Sequence, residues 1–131
     1  MARIAKWTPV VGALALLLVP VQSAAQDEVY SLAEVTEQPG LKSGRQAQRV
    51  ILRSYPRQLQ DAGIGGKVQV RFIVDASGKV EEDSIEVVAT TVQALGVAAV
   101  KAVADIQFVP GKKDGNPVRT RVVMPISFGV S

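Results

Sequence analysis

The sequence contains no cysteine and no histidine among its 131 residues. Without histidine it lacks the usual general base at neutral pH and the commonest metal ligand in proteins. Without cysteine it has no thiol nucleophile, no disulfide and no cysteine-ligated zinc site. These absences exclude Ser-His-Asp hydrolases, cysteine hydrolases and His-rich zinc sites. We therefore expect a protein that is not an enzyme, with no catalytic residue, no metal and no cofactor.

Two groups of polar residues at a predicted hairpin could still carry chemistry. Ser77 and Lys79 have the spacing of a Ser-Lys pair, but alternate residues at a hairpin tip lack the buried pocket that lowers a lysine pKa. Carboxylates beside the same turn could hold calcium, although their spacing fits no known calcium loop: Asp75, Glu81, Glu82 and Asp83. We interpret both groups as solvated surface residues.

Residues 1–25 have the composition of an export signal. Arg3 and Lys6 supply positive charge, Val10 to Val19 is an apolar run, and Ser23-Ala24-Ala25 places small residues before a predicted cleavage at Gln26. The apolar run is shorter than the ~20 residues of a membrane-spanning helix. We therefore predict a periplasmic protein. The alternative is an uncleaved inner-membrane anchor that faces the periplasm, and only this form would contact a membrane.

Cleavage would remove two of the fifteen Lys and Arg residues and none of the twelve Asp and Glu residues. The mature chain is then nearly neutral, and this predicts no nucleic-acid partner. The rest of the chain divides into a polar linker at 26–42, with a short extended piece at Val29 to Leu32, and one domain at 43–131.

The predicted domain alternates helices and strands. It begins with a helix that Ser43 and Gln46 cap and that ends near Ser54, followed by a short helix from Pro56 to Gly63. A strand from Lys67 to Val74, a hairpin turn at 75–78 and a returning strand at 84–87 come next. A helix capped by Thr90 or Thr91 and a last strand from Val118 to Phe128 complete the domain. Strict alternation of polar and apolar residues in the first strand predicts a half-buried antiparallel sheet.

Pro125 predicts an open edge on the last strand. Proline has no N–H for a strand ladder, so within a sheet it belongs on an edge strand. Because alternate residues direct their backbone groups to opposite neighbours, the other odd-numbered residues share its open side: Arg119, Arg121, Val123 and Ser127. The alternative is an edge that binds nothing, on which proline and arginine only discourage aggregation.

The order and spacing of short motifs from Arg53 to Phe128 resemble the C-terminal domain of the TonB family of energy transducers. The motifs are Tyr55-Pro56, the glycine before the first strand, Asp75-x-x-Gly78-x-Val80, Phe108-Val109-Pro110, Gly115 and Pro125-Ile126-x-Phe128. The resemblance implies a two-layer α+β fold with helices on one face of an antiparallel three-stranded sheet. It also implies a cell-envelope domain, linked to TonB-dependent transmembrane transport, that captures an extended segment of an outer-membrane transporter by β-augmentation.

By this resemblance, the last strand around Arg119 to Met124 pairs with the transporter segment, and the region of Arg53 to Arg57 lies close by. With the open-side residues, the predicted partner-binding set is Arg53, Tyr55, Pro56, Arg57, Arg119, Arg121, Val123 and Ser127. Main-chain hydrogen bonds would dominate such a contact, so we expect weak binding.

The chain departs from the full-length transducer pattern, because it has neither the histidine of the membrane helix nor a long Pro-rich spacer. We therefore expect no energy transduction by this polypeptide alone. Arg49, Arg53 and Arg57 recur every four residues, and they form either a basic strip for an acidic partner or a solvated face. The alternative function is a structural envelope domain that pairs with itself as a homodimer through the same edge strand.

Overall fold

The computed structural model describes residues 28–129. The predicted signal and its cleavage position lie outside this range. The elements, in chain order, are β1 (Val29–Tyr30), β2 (Gly40–Leu41), α1 (Gly44–Ser54), α2 (Arg57–Asp61), β3 (Gly66–Val74), a 3-10 turn (Glu82–Ser84), β4 (Glu86–Thr90), α3 (Gln93–Asp105), β5 (Phe108–Val109), β6 (Gly111–Lys113) and β7 (Asn116–Phe128).

The main sheet has the strand order β1-β7-β3-β4, and β6 forms a hairpin with β7. Its centre is the predicted antiparallel three-stranded sheet, in which β3 pairs with β4 on one side and with β7 on the other. Helices α1 and α3 contact each other and pack on one face of this sheet. The α+β class with helices on one face is therefore confirmed, and β1 adds a short parallel strand beyond the predicted three.

The apolar residues of β3 fill the centre of the core. Val68, Val70 and Phe72 are fully buried against the helices, whereas Lys67 and Gln69 are exposed on the opposite face. The turn that follows has a glycine at Gly78 with φ of 93°, as a left-handed turn position favours. Alternation in the sequence therefore assigns the faces of this strand correctly.

Helix α1 begins as predicted, with Ser43 as its N-cap. The Ser43 hydroxyl accepts a hydrogen bond of 3.2 Å from the Gln46 N–H. The second half of the predicted capping box is wrong, because the Gln46 side chain donates to the Asp105 carbonyl at 2.9 Å. It also accepts from the Gln107 N–H at 3.3 Å. Gln46 therefore ties the start of α1 to the end of α3, a long-range contact with no local sequence signal.

The predicted threonine cap of α3 is also wrong, because Val92 is its N-cap residue and makes no side-chain cap bond. Thr90 ends β4, and its hydroxyl bonds the backbone of Val92. The Thr91 hydroxyl accepts from the Lys67 N–H at 3.1 Å. Both threonines therefore form hydrogen bonds at the junction between β4 and α3. Apolar residues at helical spacing predict one buried face for α3, and the structure buries or half-buries all of them: Val92, Leu95, Ala99, Ala102, Val103 and Ile106. Gly96, which this spacing places off the apolar face, is buried as well.

The described part of the predicted linker, residues 28–42, lies against the domain. Val29–Tyr30 pairs in parallel with Arg119 and Thr120 of β7. Gly40–Leu41 pairs with Phe108–Val109. Between these strands, Thr36 and Glu37 donate backbone hydrogen bonds of 2.7 and 3.0 Å to the Lys112 carbonyl. This segment therefore adds to the sheet, although the sequence marks it mainly by its polarity.

Candidate functional site

Most of the outer side of β7, the side away from β3, has no strand partner among the described residues. On this side β1 pairs with Arg119 and Thr120, and β6 pairs with residues 116–118 at the start of the strand. From Arg121 to Phe128, no strand within the described range pairs with this side. We call the segment Arg121–Ser127 of this side the open edge of β7.

The hydrogen bonds of β3 show which β7 residues face the open edge. Thr91 donates to the Lys67 carbonyl at 3.2 Å, and Glu81 donates to the Ile73 carbonyl at 2.9 Å. Odd-numbered residues of β3 therefore direct their backbone toward β4, and even-numbered ones direct it toward β7. Val68 is in register with Ile126 and Val70 with Met124. Even-numbered residues of β7 consequently bond β3, and odd-numbered residues, including Pro125, face outward.

Side chains along β7 follow the same alternation. Thr120, Ile126 and Phe128 are buried in the core. The side chains that share the register of the open edge are exposed: Arg121, Val123, Pro125 and Ser127. A partner at this edge would therefore meet backbone donors and acceptors next to exposed side chains, while the core residues of β7 stay covered.

Arg119 marks the place where the chain's own β1 meets this side of β7. Its guanidinium donates two hydrogen bonds of 2.7 Å to the two carboxylate oxygens of Glu81. Both side chains are about a quarter exposed. This bidentate ion pair links the β3–β4 connection to β7. Glu81 lies 38 residues from Arg119, and sequence reasoning considered it only as a possible calcium ligand.

Tyr55 lies at the other end of β7, and its side chain is buried. Its ring packs edge-on against Phe128 with centroids 5.3 Å apart, and its hydroxyl donates to the Ile64 carbonyl at 2.6 Å. Pro56 is the half-buried N-cap of α2. Arg53 and Arg57 are exposed on either side of Tyr55 and Pro56.

The predicted partner-binding residues therefore do not form one pocket. The Tyr55 region contacts β7 at Phe128, close to the strand as the resemblance implies. Arg119 lies nine residues before Phe128 on the same strand, which corresponds to about 30 Å. The arrangement is a line along a strand, which suits an extended ligand better than a compact one.

The hairpin carboxylate Asp75 has a structural role. It accepts hydrogen bonds from the Ser77 N–H, the Ser77 hydroxyl and the Lys79 N–H. Burial opposes ionisation of this carboxyl, but these hydrogen bonds outweigh burial and lower the pKa of Asp75. Among residues 28–129, no three His, Cys, Asp or Glu side chains are grouped as metal ligands. Within the same residues, every helix is too short or too polar to cross a membrane.

The family described as Gram-negative bacterial TonB protein C-terminal matches residues 52–130. A solution structure of the Pseudomonas aeruginosa TonB C-terminal domain is 26% identical, with 59% of this chain and 77% of that chain covered and a TM-score of 0.49. A Helicobacter pylori TonB C-terminal domain structure is 28% identical, with 63% and 87% covered and a TM-score of 0.49. The comparison with curated proteins finds no match.

Proposed function

Because the chain belongs to the family of Gram-negative bacterial TonB protein C-terminal domains, we propose that it binds an extended segment of an outer-membrane transporter along the open edge of β7. Domains of this family are not enzymes; they act in TonB-related transport, face the periplasm and interact with outer-membrane transporters. The proposed contact is strand addition, in which main-chain hydrogen bonds supply affinity and alternate side chains supply selection.

The pairing pattern of β7 is the observation that supports this proposal. Its outer side already carries a short strand, because Val29–Tyr30 pairs there with Arg119 and Thr120. Beyond Thr120, the outward-facing backbone has no strand partner in the described residues. An added segment can therefore extend the sheet next to β1 without displacing an existing strand from the open edge.

The number of main-chain hydrogen bonds that the open edge can form limits the affinity for a partner segment. Arg121, Val123 and Ser127 can each donate an N–H, whereas Pro125 offers only its carbonyl. Each hydrogen bond contributes about 0.5–1.5 kcal/mol net, and association costs at least about 4 kcal/mol. Main-chain bonds alone therefore give weak binding, in about the micromolar range or weaker. A transient contact of this kind suits a partner that must be released.

Charge favours an acidic transporter segment. Arg121 is exposed on the open edge, and Arg53 and Arg57 are exposed on either side of Tyr55 and Pro56. Arg119 adds less charge, because it is paired with Glu81. We propose that the exposed arginines attract an acidic segment, and that Tyr55 and Pro56 fix the backbone conformation at this end of the site.

Synthetic peptides that tile the periplasm-exposed segments of outer-membrane transporters test the proposal. For the tightest peptide, two N-methylated forms are compared, each methylated on one of the two alternating sets of residues. Strand addition uses the N–H groups of only one set, so one form should lose binding at least about tenfold and the other should keep it. Equal loss or equal retention would contradict strand addition.

A matched pair of protein variants locates the contact. Val123→Pro removes a donor from the open edge, and the neighbouring Pro125 shows that this register tolerates proline. Val123→Thr keeps the donor and changes the side chain only. We expect about a tenfold weaker affinity for Val123→Pro and little change for Val123→Thr, with both variants folded by circular dichroism. Unchanged affinity in folded Val123→Pro would exclude this edge.

The alternative function expected from the sequence is a homodimer that pairs through the same edge strand. It leads to a different experimental result. Concentration-dependent dimers that Val123→Pro abolishes, with no response to any transporter peptide, would favour self-pairing of β7 over the proposed function. Analytical ultracentrifugation with and without peptide separates the two.

A further inference from the structure

The outer side of α1, away from the sheet, carries basic residues. Ala47 and Val50 are buried, whereas Arg45, Arg49 and Leu52 are exposed. Positions four and seven residues apart share one face of a helix, so these three exposed residues lie together, opposite the buried face. The sequence of α1 contains no acidic residue. This side of the helix therefore combines positive charge with one exposed leucine.

Helix α3 extends the same surface, because it packs beside α1. Gln46, near the start of α1, donates to the carbonyl of Asp105 at the end of α3. Arg49 and Lys101 each lie about one turn from this bond, on neighbouring turns of the two helices. The exposed residues of both helices form a surface that we call the helical face: Arg45, Arg49, Leu52, Val97 and Lys101.

Positive charge is concentrated in these two helices. Together α1 and α3 carry four basic residues and one acidic residue, whereas the rest of residues 28–129 carries nine basic and ten acidic residues. The ion pairs within the described range join Arg71 to Glu86 and Arg119 to Glu81, and neither pair involves α1 or α3. The charge of the helical face is therefore not neutralised by ion pairs among the described residues.

Two aliphatic side chains are exposed on the helical face. Leu52 and Val97 are each 56% exposed. Basic residues next to exposed aliphatic residues are typical of helices that lie on a membrane surface, where the charges meet anionic headgroups and the aliphatic groups enter the acyl boundary. The long stems of arginine and lysine can also lie along apolar surface while their charges stay in water.

We propose that the helical face binds the surface of an anionic phospholipid bilayer. An acidic peptide would neutralise the charge of this face but would leave Leu52 and Val97 in water. A bilayer accounts for both features, since its headgroups attract the basic residues and its acyl boundary accepts the aliphatic ones. The contact lies on the outer side of the helix layer, so a bilayer can cover it without unfolding either helix.

This contact is separate from the proposed transporter site and does not rest on it. The open edge of β7 belongs to the sheet, whereas the helical face is the outer side of the helices. The family match begins at residue 52, so Arg45 and Arg49 lie outside it. The proposal also applies to a chain without an N-terminal anchor, although the sequence predicts membrane contact only for the anchored form.

Vesicle co-sedimentation tests the proposal, with each protein expressed as the full chain. Vesicles of equal parts phosphatidylglycerol and phosphatidylcholine supply the anionic surface, and vesicles of phosphatidylcholine alone supply the neutral one. Each basic residue close to an anionic surface strengthens binding about fivefold. We therefore expect binding to the anionic vesicles to be at least about tenfold tighter than to the neutral ones, and high salt should remove the difference.

A charge-matched pair of double variants locates the contact. Arg45→Gln with Arg49→Gln removes two charges from the helical face, and Lys67→Gln with Lys79→Gln removes two exposed charges elsewhere. The first pair should weaken binding to anionic vesicles at least about tenfold and the second less than about twofold. Lys101→Gln should weaken it about threefold, which tests α3 independently of α1. Circular dichroism checks that each variant is folded.

Leu52→Gln tests the aliphatic part of the contact, because it leaves the charge unchanged. We expect binding to anionic vesicles about threefold weaker than that of the wild type. Val88→Gln, at a position of β4 that is 48% exposed, is the control and should bind like the wild type.

Equal binding of the wild type to both kinds of vesicle, or to neither, would overturn the proposal. Equal losses in the two double variants would also overturn it, because net charge alone would then explain binding. Wild-type affinity in Leu52→Gln would exclude the aliphatic contact that distinguishes a bilayer from an acidic peptide. Binding of polyglutamate but not of vesicles, dependent on Arg45 and Arg49, would assign the helical face to an acidic protein instead.

Discussion

Tyr55 and Phe128 pack edge to face with ring centroids 5.3 Å apart, and both side chains are buried. This contact joins the turn between α1 and α2 to the last residue of β7. The Tyr55 hydroxyl extends the link by donating to the Ile64 carbonyl at 2.6 Å. The Tyr-Pro motif therefore fixes the end of the strand that carries the proposed binding edge.

Tyr55→Phe should lower the free energy of unfolding by about 1–2 kcal/mol, because it leaves the Ile64 carbonyl without its partner. Phe128→Ala should cost about 3–5 kcal/mol through loss of a buried ring. Urea denaturation measures both. A larger loss in Tyr55→Phe than in Phe128→Ala would mean that the hydrogen bond outweighs the ring packing.

Arg119→Lys should destabilise the fold by about 1 kcal/mol, because lysine cannot form the bidentate pair that Arg119 makes with Glu81. The partly exposed position limits the effect. Arg121→Lys, two residues along at an exposed position, is the control and should change stability by less than about 0.5 kcal/mol. A double-mutant cycle with Glu81→Gln gives the coupling energy, and a value near zero would mean that the pair contributes nothing.

Asp75→Asn should destabilise the protein most at neutral pH, by about 1–2 kcal/mol, because the charged carboxylate accepts hydrogen bonds from Ser77 and Lys79. The pKa of Asp75 is lowered in the fold, so its contribution is present above the unfolded-state pKa. This contribution is lost as the pH falls through the lower folded-state pKa.

Urea midpoints of the wild type and of Asp75→Asn should therefore converge as the pH is reduced from about 6 to about 3. Asp83→Asn, at an exposed position of the same hairpin, is the control for the loss of a surface charge and should change stability by less than about 0.5 kcal/mol. A constant gap between wild type and Asp75→Asn at every pH would contradict the role of the carboxylate charge.

Gly96→Ala should stabilise the protein by up to about 1 kcal/mol, because alanine favours a helix interior over glycine. A Cβ at this position would lie 3.5 Å from Thr90 Cγ2 and 3.6 Å from Val87 Cγ1, which is ordinary van der Waals contact. Thermal denaturation measures the shift. Destabilisation by this change would mean that α3 packs against β4 too closely for a methyl group.

Gly78→Ala gives the opposite expectation. Gly78 has φ of 93°, and an added Cβ would collide with the Phe108 carbonyl oxygen. Because that oxygen belongs to the backbone and not to a flexible side chain, the backbone itself must move. The free energy of unfolding should therefore fall by more than about 1 kcal/mol. Thermal denaturation of the two glycine variants side by side checks this contrast, and equal effects would contradict it.

Local rules predicted much of this fold. Period-two alternation identified the faces of β3 and β7, helical spacing identified the buried face of α3, and Gly63 and Gly78 marked turns that do have positive φ. The errors occurred where a side chain bonds across the fold. Gln46 contacts the end of α3, and Thr91 contacts β3, so local capping rules assigned them incorrectly.

For the candidate site, the sequence by itself determined that Pro125 must face a side of β7 where no N–H donor is required. The other odd-numbered residues face the same side, because the backbone groups of successive residues in a strand point to alternate sides. Only the tertiary structure decided how much of that side is free. Val29–Tyr30 occupies it at Arg119, and Arg121–Ser127 is left open. Strand occupancy depends on segments about ninety residues apart, whereas sequence patterns report only the neighbours within a few residues of each position.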